Sequence, residues 1–169
     1  VAGVFSLEDG LRLVHARARL MDTLTRPGAM LAIMATAERV RTEIAELEKE
    51  VAIAAINGPE SVVISGAAET VARVAKKLEA DGVRSKALAV THAFHSPELE
   101  PILDEFEEIA KKIKYQAPRI RMISNRTGET ARAEQIATAR YWRENMRGTV
   151  LFHAGLHAAV ATGFQTLIE

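Results

Sequence analysis

Residues 51–65 read VAIAAINGPESVVIS, two apolar runs on either side of a short polar turn. Asparagine, glycine and proline at 57–59 favour a tight reversal of the chain, so the two runs, 51–56 and 61–65, are predicted to form an antiparallel pair of strands. An amphipathic pattern capped by Thr36 precedes this pair and extends to about Glu50. A second helical pattern, residues 67–81, follows the pair and ends at Gly82, which suits a helix C-terminus.

Two further apolar runs, residues 29–35 and 83–90, complete the order β-α-β-β-α-β, which is the ferredoxin-like arrangement. Outside that unit, the hydrophobic pattern predicts helices at 6–24, 96–113, 138–147 and 151–161 and strands at 119–124 and 164–168. We therefore predict an α/β fold in two parts. Residues 29–90 form a ferredoxin-like small subdomain, which interrupts a larger, incomplete α/β body made of residues 1–28 and 91–169.

The composition narrows the classes of protein. The chain has 169 residues, with 22 basic and 22 acidic side chains and no cysteine. A formal net charge of zero gives no electrostatic case for binding nucleic acid, and the lack of cysteine excludes disulfides, thiolate metal sites and a cysteine nucleophile. No apolar run approaches the roughly 20 residues that cross a bilayer, and no leader-like segment opens the chain. We expect a cytoplasmic protein without membrane or nucleic-acid partners.

Both ends look like internal sequence. The chain opens with the apolar VAGVF and closes with QTLIE, which is typical of a buried strand. Natural domain ends are usually polar and exposed. We therefore expect the chain to be a piece of a longer protein.

The candidate functional residues centre on His92-Ala93-Phe94-His95-Ser96, which Pro97 follows. This pentapeptide lies between an apolar run and an amphipathic helix that Ser96 and Pro97 are suited to open. His95 is therefore predicted near the positive end of a helix dipole. That field disfavours the imidazolium and leaves a neutral ring that accepts a proton. The alternative is an ordinary packing or surface histidine.

The apolar sector of the first predicted helix includes Leu7, Leu11 and Val14. Arg17 falls inside this sector, between Leu13, Leu20 and Leu24. A charged side chain in such a sector is costly unless it is paired. Two interpretations remain open. Arg17 forms a structural ion pair or extends its guanidinium to the surface, or its guanidinium binds the carboxylate of a ligand bidentately.

Other polar residues are weaker candidates. Asn57 and Asn125 fall in turn sequences, where asparagine is common for conformational reasons. His153 and His157 have the i, i+4 spacing of a helical metal pair, but no acidic residue has a matching spacing, so no metal site is predicted. A serine transferase needs its nucleophile on a G-x-S-x-G elbow, and none of the serines has that context; they are Ser6, Ser61, Ser65, Ser85, Ser96 and Ser124.

Several segments, taken in order, resemble the malonyl-type acyltransferase domain of type I polyketide synthases. They are AGVFSLED at 2–9, ARARLM at 16–21, GAMLA at 28–32, AAINGP at 54–59, VVISG at 62–66, HAFHSP at 92–97, SNRTG at 124–128 and YW at 141–142. The resemblance extends over essentially the whole chain. It implies an α/β-hydrolase-like large subdomain interrupted by a ferredoxin-like insert, which agrees with the interpretation of the residues alone.

By this resemblance, His95 corresponds to the catalytic base and Arg17 to the arginine that holds the free carboxylate of the extender unit. His92 and Phe94 belong to the form of the motif associated with malonyl rather than methylmalonyl selection. Phe94 would crowd a methyl branch on the substrate. One contact of this kind gives about 1–3 kcal/mol of discrimination, so the motif biases the choice without determining it alone.

The resemblance also implies a reaction and its partners. Malonyl-CoA would acylate a serine, and the malonyl group would then pass to the phosphopantetheine thiol of an acyl carrier protein. No permanently bound cofactor is expected, and a ketosynthase is the expected neighbouring domain. In the family, the nucleophile elbow precedes the segment where this chain begins and a glycine-rich turn follows the segment where it ends, so the isolated chain is predicted to be inactive. The alternative is a non-catalytic interaction module built on the ferredoxin-like unit.

Overall fold

The computed structural model describes residues 2–24, 26–164 and 166, which form a mixed α/β fold. Four strands make one antiparallel sheet in the order β2-β3-β1-β4; they are β1 (Gly28–Ile33), β2 (Val51–Gly58), β3 (Ser61–Ala67) and β4 (Ser85–Ala87). The α-helices are α1 (Leu7–Asp22), α2 (Ala37–Ile44), α3 (Ala68–Ala80), α4 (Glu100–Ala110), α5 (Ala133–Ile136), α6 (Ala139–Arg147) and α7 (Phe152–Ala161). Short 3-10 helices occupy Ala45–Leu47 and Pro97–Leu99.

The sheet, α2 and α3 form the ferredoxin-like unit that the sequence predicts. The central strands β1 and β3 pair so that Leu31 lies opposite Ile64. Both helices pack on the sheet with their apolar sides, and Gly82 follows α3 with the positive φ expected of a helix C-terminus. One continuous core results, in which apolar burial is the main stabilising term; it includes Leu31, Ile33, Val40, Ile44, Val62, Ile64, Val71, Val74 and Leu78.

A second apolar core joins α1, α4 and α6. The helix α1 begins after Ser6, whose hydroxyl accepts a hydrogen bond from the backbone N–H of Asp9 at 3.1 Å. Pro101 lies in the first turn of α4, where its missing N–H costs no intrahelical hydrogen bond. The three helices meet through buried side chains, which include Leu13, Leu20, Leu103, Phe106 and Met146. This helical core supports the segment that carries His95.

Three local predictions differ from the structure or fall outside it, and one helix was not predicted. The strand predicted at 83–90 is reduced to Ser85–Ala87, an exposed edge strand that pairs with β1 alone. The strand predicted at 119–124 is wrong: within the described residues this segment forms only a bridge from Ile123 to Thr130, because no neighbouring strand extends the pairing. The helix α5 has no counterpart among the predicted elements. The strand predicted at 164–168 lies largely outside the described residues.

The buried face of α1 is narrower than the apolar sector predicted from the sequence. Leu13 belongs to the helical core, but Leu7, Leu11 and Val14 are 82%, 61% and 67% exposed. Among the described elements α4 packs against one side of α1, so the opposite part of the sector stays uncovered. These three side chains line a cavity of about 550 Å³ together with Arg17. Within the described residues, no helix combines the length and the apolar content that a bilayer crossing needs.

Candidate functional site

His95 lies in a tight turn between β4 and the 3-10 helix that precedes α4. Its φ is 57°, and it is the one non-glycine residue with positive φ in the described part of the chain. That left-handed conformation costs a histidine on the order of 1–3 kcal/mol and persists because the surrounding structure holds it. The buried hydroxyl of Ser96 donates to the carbonyl of Ala93 at 2.7 Å and accepts from the N–H of Glu98 at 3.2 Å. Ser96 therefore fixes the turn on both sides of His95.

The start of β1 packs directly on this turn. A Cβ on Gly28 would clash with the backbone nitrogen and the side chain of Ala93, which is itself buried. Only glycine allows the two backbone segments to approach this closely. The first residue of β1 and the His95 turn are thus in direct contact.

The surroundings of His95 favour a neutral imidazole. Burial lowers the pKa of His95 from its ordinary value, and the positive charge of Arg17 lowers this pKa further. Hydrogen bonding of the ring to the backbone at Gly148 and Asn145 opposes this lowering, and the charge of Arg147 adds to it. Nδ1 is buried and has no hydrogen bond of good geometry inside the described ranges.

A lowered pKa of His95 is the direction expected from the sequence, but the main causes of the shift differ from the helix dipole invoked there. The predicted helix start at Ser96-Pro97 is a 3-10 turn, Pro97–Leu99, rather than the first turn of a long α-helix. Desolvation and the nearby arginine act most strongly on the ring. Neither effect was evident from the local pattern around residue 95, because both depend on α1 and α6.

Arg17 extends from α1 beside the cavity that Trp142, Asn145 and Met146 also line. Burial lowers the pKa of its guanidinium. The interpretation of Arg17 as a structural ion pair is wrong for the residues that the structure describes, since no carboxylate among them lies within 4.0 Å of it. A half-buried arginine without a carboxylate partner attracts an anionic ligand.

Phe94 and His92 flank the same turn. Phe94 is half-buried and packs against the helical core, and the centroid of its ring lies 6.2 Å from that of His92. The Nδ1 atom of His92 is 2.9 Å from the hydroxyl of Thr91. The rings of His92 and Phe94 therefore lie on the same turn as His95.

The structure does not bring Asn57 or Asn125 into this group. Asn57 lies near the end of β2, at the hairpin to β3, with its side chain exposed. Asn125 is also exposed, and its backbone carbonyl accepts a hydrogen bond from the N–H of Leu151 at 2.6 Å. His153 and His157 stack edge to face with centroids 4.5 Å apart, and the described residues contain no cluster of three side chains able to hold a metal.

The C-terminal end of α6 is the part of the site that sequence reasoning missed. Asn145, Arg147 and Gly148 all act on the pKa of His95. Asn145 and Gly148 act through backbone groups, which every residue type has, so the sequence gives no signal for them. Arg147 itself is paired with Glu100 of α4 at 2.7 Å.

Comparisons with known proteins identify the family of this chain. All of residues 1–169 match the acyl transferase domain family. The acyltransferase domain from the second module of the salinomycin polyketide synthase superposes with a TM-score of 0.91 at 44% identity, over 96% of this chain and 38% of that one. The chain belongs to the acyl transferase domain family.

The relatives place the chain more narrowly, among polyketide synthases. It is 46% identical to the spectinabilin polyketide synthase system protein NorB of Streptomyces orinoci, over 99% of this chain and 8% of that protein. It is 48% identical to the mycoketide-CoA synthase of Mycobacterium tuberculosis, over 100% of this chain and 4% of that protein. The chain therefore spans a small part of these synthases and less than half of the solved domain.

Proposed function

We propose that this chain forms the part of a polyketide synthase acyltransferase domain that supplies the general base and the carboxylate-binding arginine. The proposal rests above all on one observation: Arg17, without a carboxylate partner among the described residues, lies near enough to His95 to lower its pKa. The proposed base and the proposed anion-binding group thus lie within electrostatic range of each other. We also propose the division into a large subdomain, residues 1–28 and 91–169, and a small subdomain, residues 29–90.

In the proposed reaction, His95 Nε2 takes the proton from a serine hydroxyl that lies outside this chain. The serine oxygen attacks the thioester carbonyl of malonyl-CoA, the carbon–sulfur bond breaks, and the imidazolium returns the proton to the leaving CoA thiolate. The second half runs in reverse, because the phosphopantetheine thiol of an acyl carrier protein attacks the malonyl ester and the serine recovers its proton. General-base assistance of this kind contributes about 10²–10⁴-fold.

Arg17 is proposed to bind the free carboxylate of the malonyl group by paired charge-assisted hydrogen bonds. Phe94, with His92 beside it, is proposed to narrow the site at the α-carbon and so favour malonyl over methylmalonyl. Asn57 and Asn125 receive no role in this scheme. The acyl carrier protein and a neighbouring ketosynthase are the proposed partners, malonyl-CoA is a substrate rather than a resident cofactor, and a cytoplasmic location is proposed.

A loading assay tests this proposal. The complete acyltransferase domain that contains this chain is mixed with radiolabelled malonyl-CoA, and transfer to a phosphopantetheinylated carrier protein is followed. We expect rapid transfer by the complete domain and none by residues 1–169 alone. Acylation of any serine of the isolated chain, or failure of the complete domain to transfer malonyl, would contradict the proposal. The second result would favour the non-catalytic interaction module.

A further inference from the structure

The segment from Gly148 to Leu151, which joins α6 to α7, is hydrogen-bonded to the ferredoxin-like sheet. The hydroxyl of Thr149 donates to the carbonyl of Ile53 at 2.7 Å. Next to it, the N–H of Val150 donates to the carbonyl of Ala54 at 2.8 Å, and the carbonyl of Val150 accepts from the N–H of Ile56 at 2.9 Å. Val150 thereby forms an isolated parallel bridge with Ala55. We refer to residues 148–151 as the clamp segment.

The strand β2 is built to receive the clamp segment. It is one of the two edge strands of the sheet, so one row of its backbone groups has no strand partner. The pairing of β2 with β3 shifts register between Ile53 and Ala55, which leaves Ala54 without a partner on β3. Such a bulge re-aims backbone groups, and the carbonyl of Ala54 indeed accepts from Val150 instead.

The same segment continues the end of α6 that lies against His95. Hydrogen bonding to the backbone at Gly148 and Asn145 favours the protonated ring. The C-terminal end of a helix also carries partial negative charge, which stabilises a nearby cation. The charged groups that act on the ring are Arg17 of α1 and Arg147 of α6, both of which oppose protonation, and Arg147 is paired with Glu100. The carbonyls beside the ring are thus the groups that stabilise an imidazolium here.

We propose that Thr149 is a positioning residue for His95: its hydroxyl clamps residues 148–151 to β2 and so keeps the carbonyls of Asn145 and Gly148 against the imidazole. Gly148, Val150 and Leu151 have no polar side chain, so Thr149 supplies the side-chain bond of the clamp. Because His95 becomes an imidazolium each time it accepts a proton, the clamp lowers the barrier to acyl transfer. This consequence for catalysis rests on the proposed function, whereas the geometric claim does not.

The test compares three variants of the complete acyltransferase domain. Thr149→Val keeps the shape of the side chain and removes the hydroxyl, and Thr149→Ser keeps the hydroxyl. Thr42→Val makes the same chemical change away from the site, where the Thr42 hydroxyl donates to the carbonyl of Glu38 at 3.2 Å within α2. The titration of His95 is followed by NMR of isotopically labelled histidine, with the signal assigned through His95→Gln. Malonyl transfer is measured in parallel as kcat and KM.

In Thr149→Val we expect His95 to titrate at lower pH than in the wild type, and kcat to fall roughly two- to tenfold with KM unchanged, the range expected for the loss of one hydrogen bond. Thr149→Ser and Thr42→Val should match the wild type in both measurements. A wild-type titration of His95 in Thr149→Val would overturn the proposal, as would a Thr149→Ser variant that behaves like Thr149→Val. Should Thr149→Val fail to fold, Thr149→Ala provides the same comparison with less bulk. A lower titration point in a domain that transfers no acyl group would uphold the clamp and refute the proposed function.

Discussion

The guanidinium of Arg17 lies close enough to the imidazole of His95 to lower its pKa, although the two residues stand on elements far apart in the sequence. The pair joins α1 to the turn before α4. Arg17 also faces a cavity of about 550 Å³ and has no carboxylate within 4.0 Å in the described part of the chain. Arg17 is therefore suited to bind a carboxylate, and His95 is suited to accept a proton.

Replacing Arg17 with alanine is expected to weaken the loading of malonyl much more than the loading of acetyl, which has no free carboxylate. Hydrogen bonds to charged groups are worth about 1.5–3 kcal/mol, so kcat/KM for malonyl-CoA should fall on the order of 10- to 100-fold in the complete domain. Arg17→Lys keeps the charge but loses the planar guanidinium, so its kcat/KM should lie between those of the wild type and Arg17→Ala. Unchanged malonyl loading in Arg17→Ala would remove the role assigned to this arginine.

The same substitution has a consequence for pH dependence. The charge of Arg17 disfavours the imidazolium, so its removal raises the pKa of His95. The base is active when neutral, and the acidic limb of the profile of kcat/KM against pH should therefore move to higher pH in Arg17→Ala. Arg17→Lys, which retains a positive charge, should keep the limb near its wild-type position. A limb that moves to lower pH in Arg17→Ala would contradict the geometry.

Phe94→Ser is expected to relax the choice of extender unit. Removal of the ring opens space at the α-carbon, so the ratio of kcat/KM for malonyl-CoA to that for methylmalonyl-CoA should fall by about 5- to 100-fold, which corresponds to 1–3 kcal/mol. Phe94→Leu retains most of the bulk and serves as the matched control. Because Phe94 also packs against the helical core, thermal unfolding of both variants should be measured. An unchanged ratio in a folded Phe94→Ser protein would exclude this residue as a selector.

Gly28→Ala is expected to disturb the His95 turn through backbone contact alone. The new methyl group would meet the backbone of Ala93, whereas a methyl group at Gly58 would meet only the Cβ of Ser61 at 3.4 Å. Overpacking of this kind costs about 1–3 kcal/mol. Urea denaturation of the complete domain should therefore show a loss of stability in Gly28→Ala and little change in Gly58→Ala. Equal stability of the two variants would contradict the close approach at Gly28.

Elements with local sequence signals were predictable, whereas elements that depend on distant neighbours were not. The ferredoxin-like unit was predictable because its signals are local: a turn at 57–59, caps at Thr36 and Gly82, and helices that alternate with strands. The strand predicted at 119–124 fails because a strand needs a neighbour, which a local apolar run does not provide. The outward placement of Leu7 and Leu11 likewise depends on which elements cover α1.

The candidate site also contains features that the sequence reveals and features that depend on the fold. His95 and Arg17 stand out in the sequence because a histidine at a junction and an arginine in an apolar sector are conspicuous residue types. The positive φ of His95 and the backbone of Asn145 and Gly148 leave no such signal, since they arise from the turn at Ser96 and from the end of α6.

In the proposed mechanism, His95 is the general base for a serine outside this chain. Rapid-quench acylation of the complete domain by malonyl-CoA, detected by intact-protein mass spectrometry, compares the wild type with His95→Gln. The control is His15→Gln, at an exposed histidine of α1. We predict that His95→Gln slows formation of the malonyl ester by about 10²–10⁴-fold and that His15→Gln does not. Formation of the ester by His95→Gln at the wild-type rate would contradict the account.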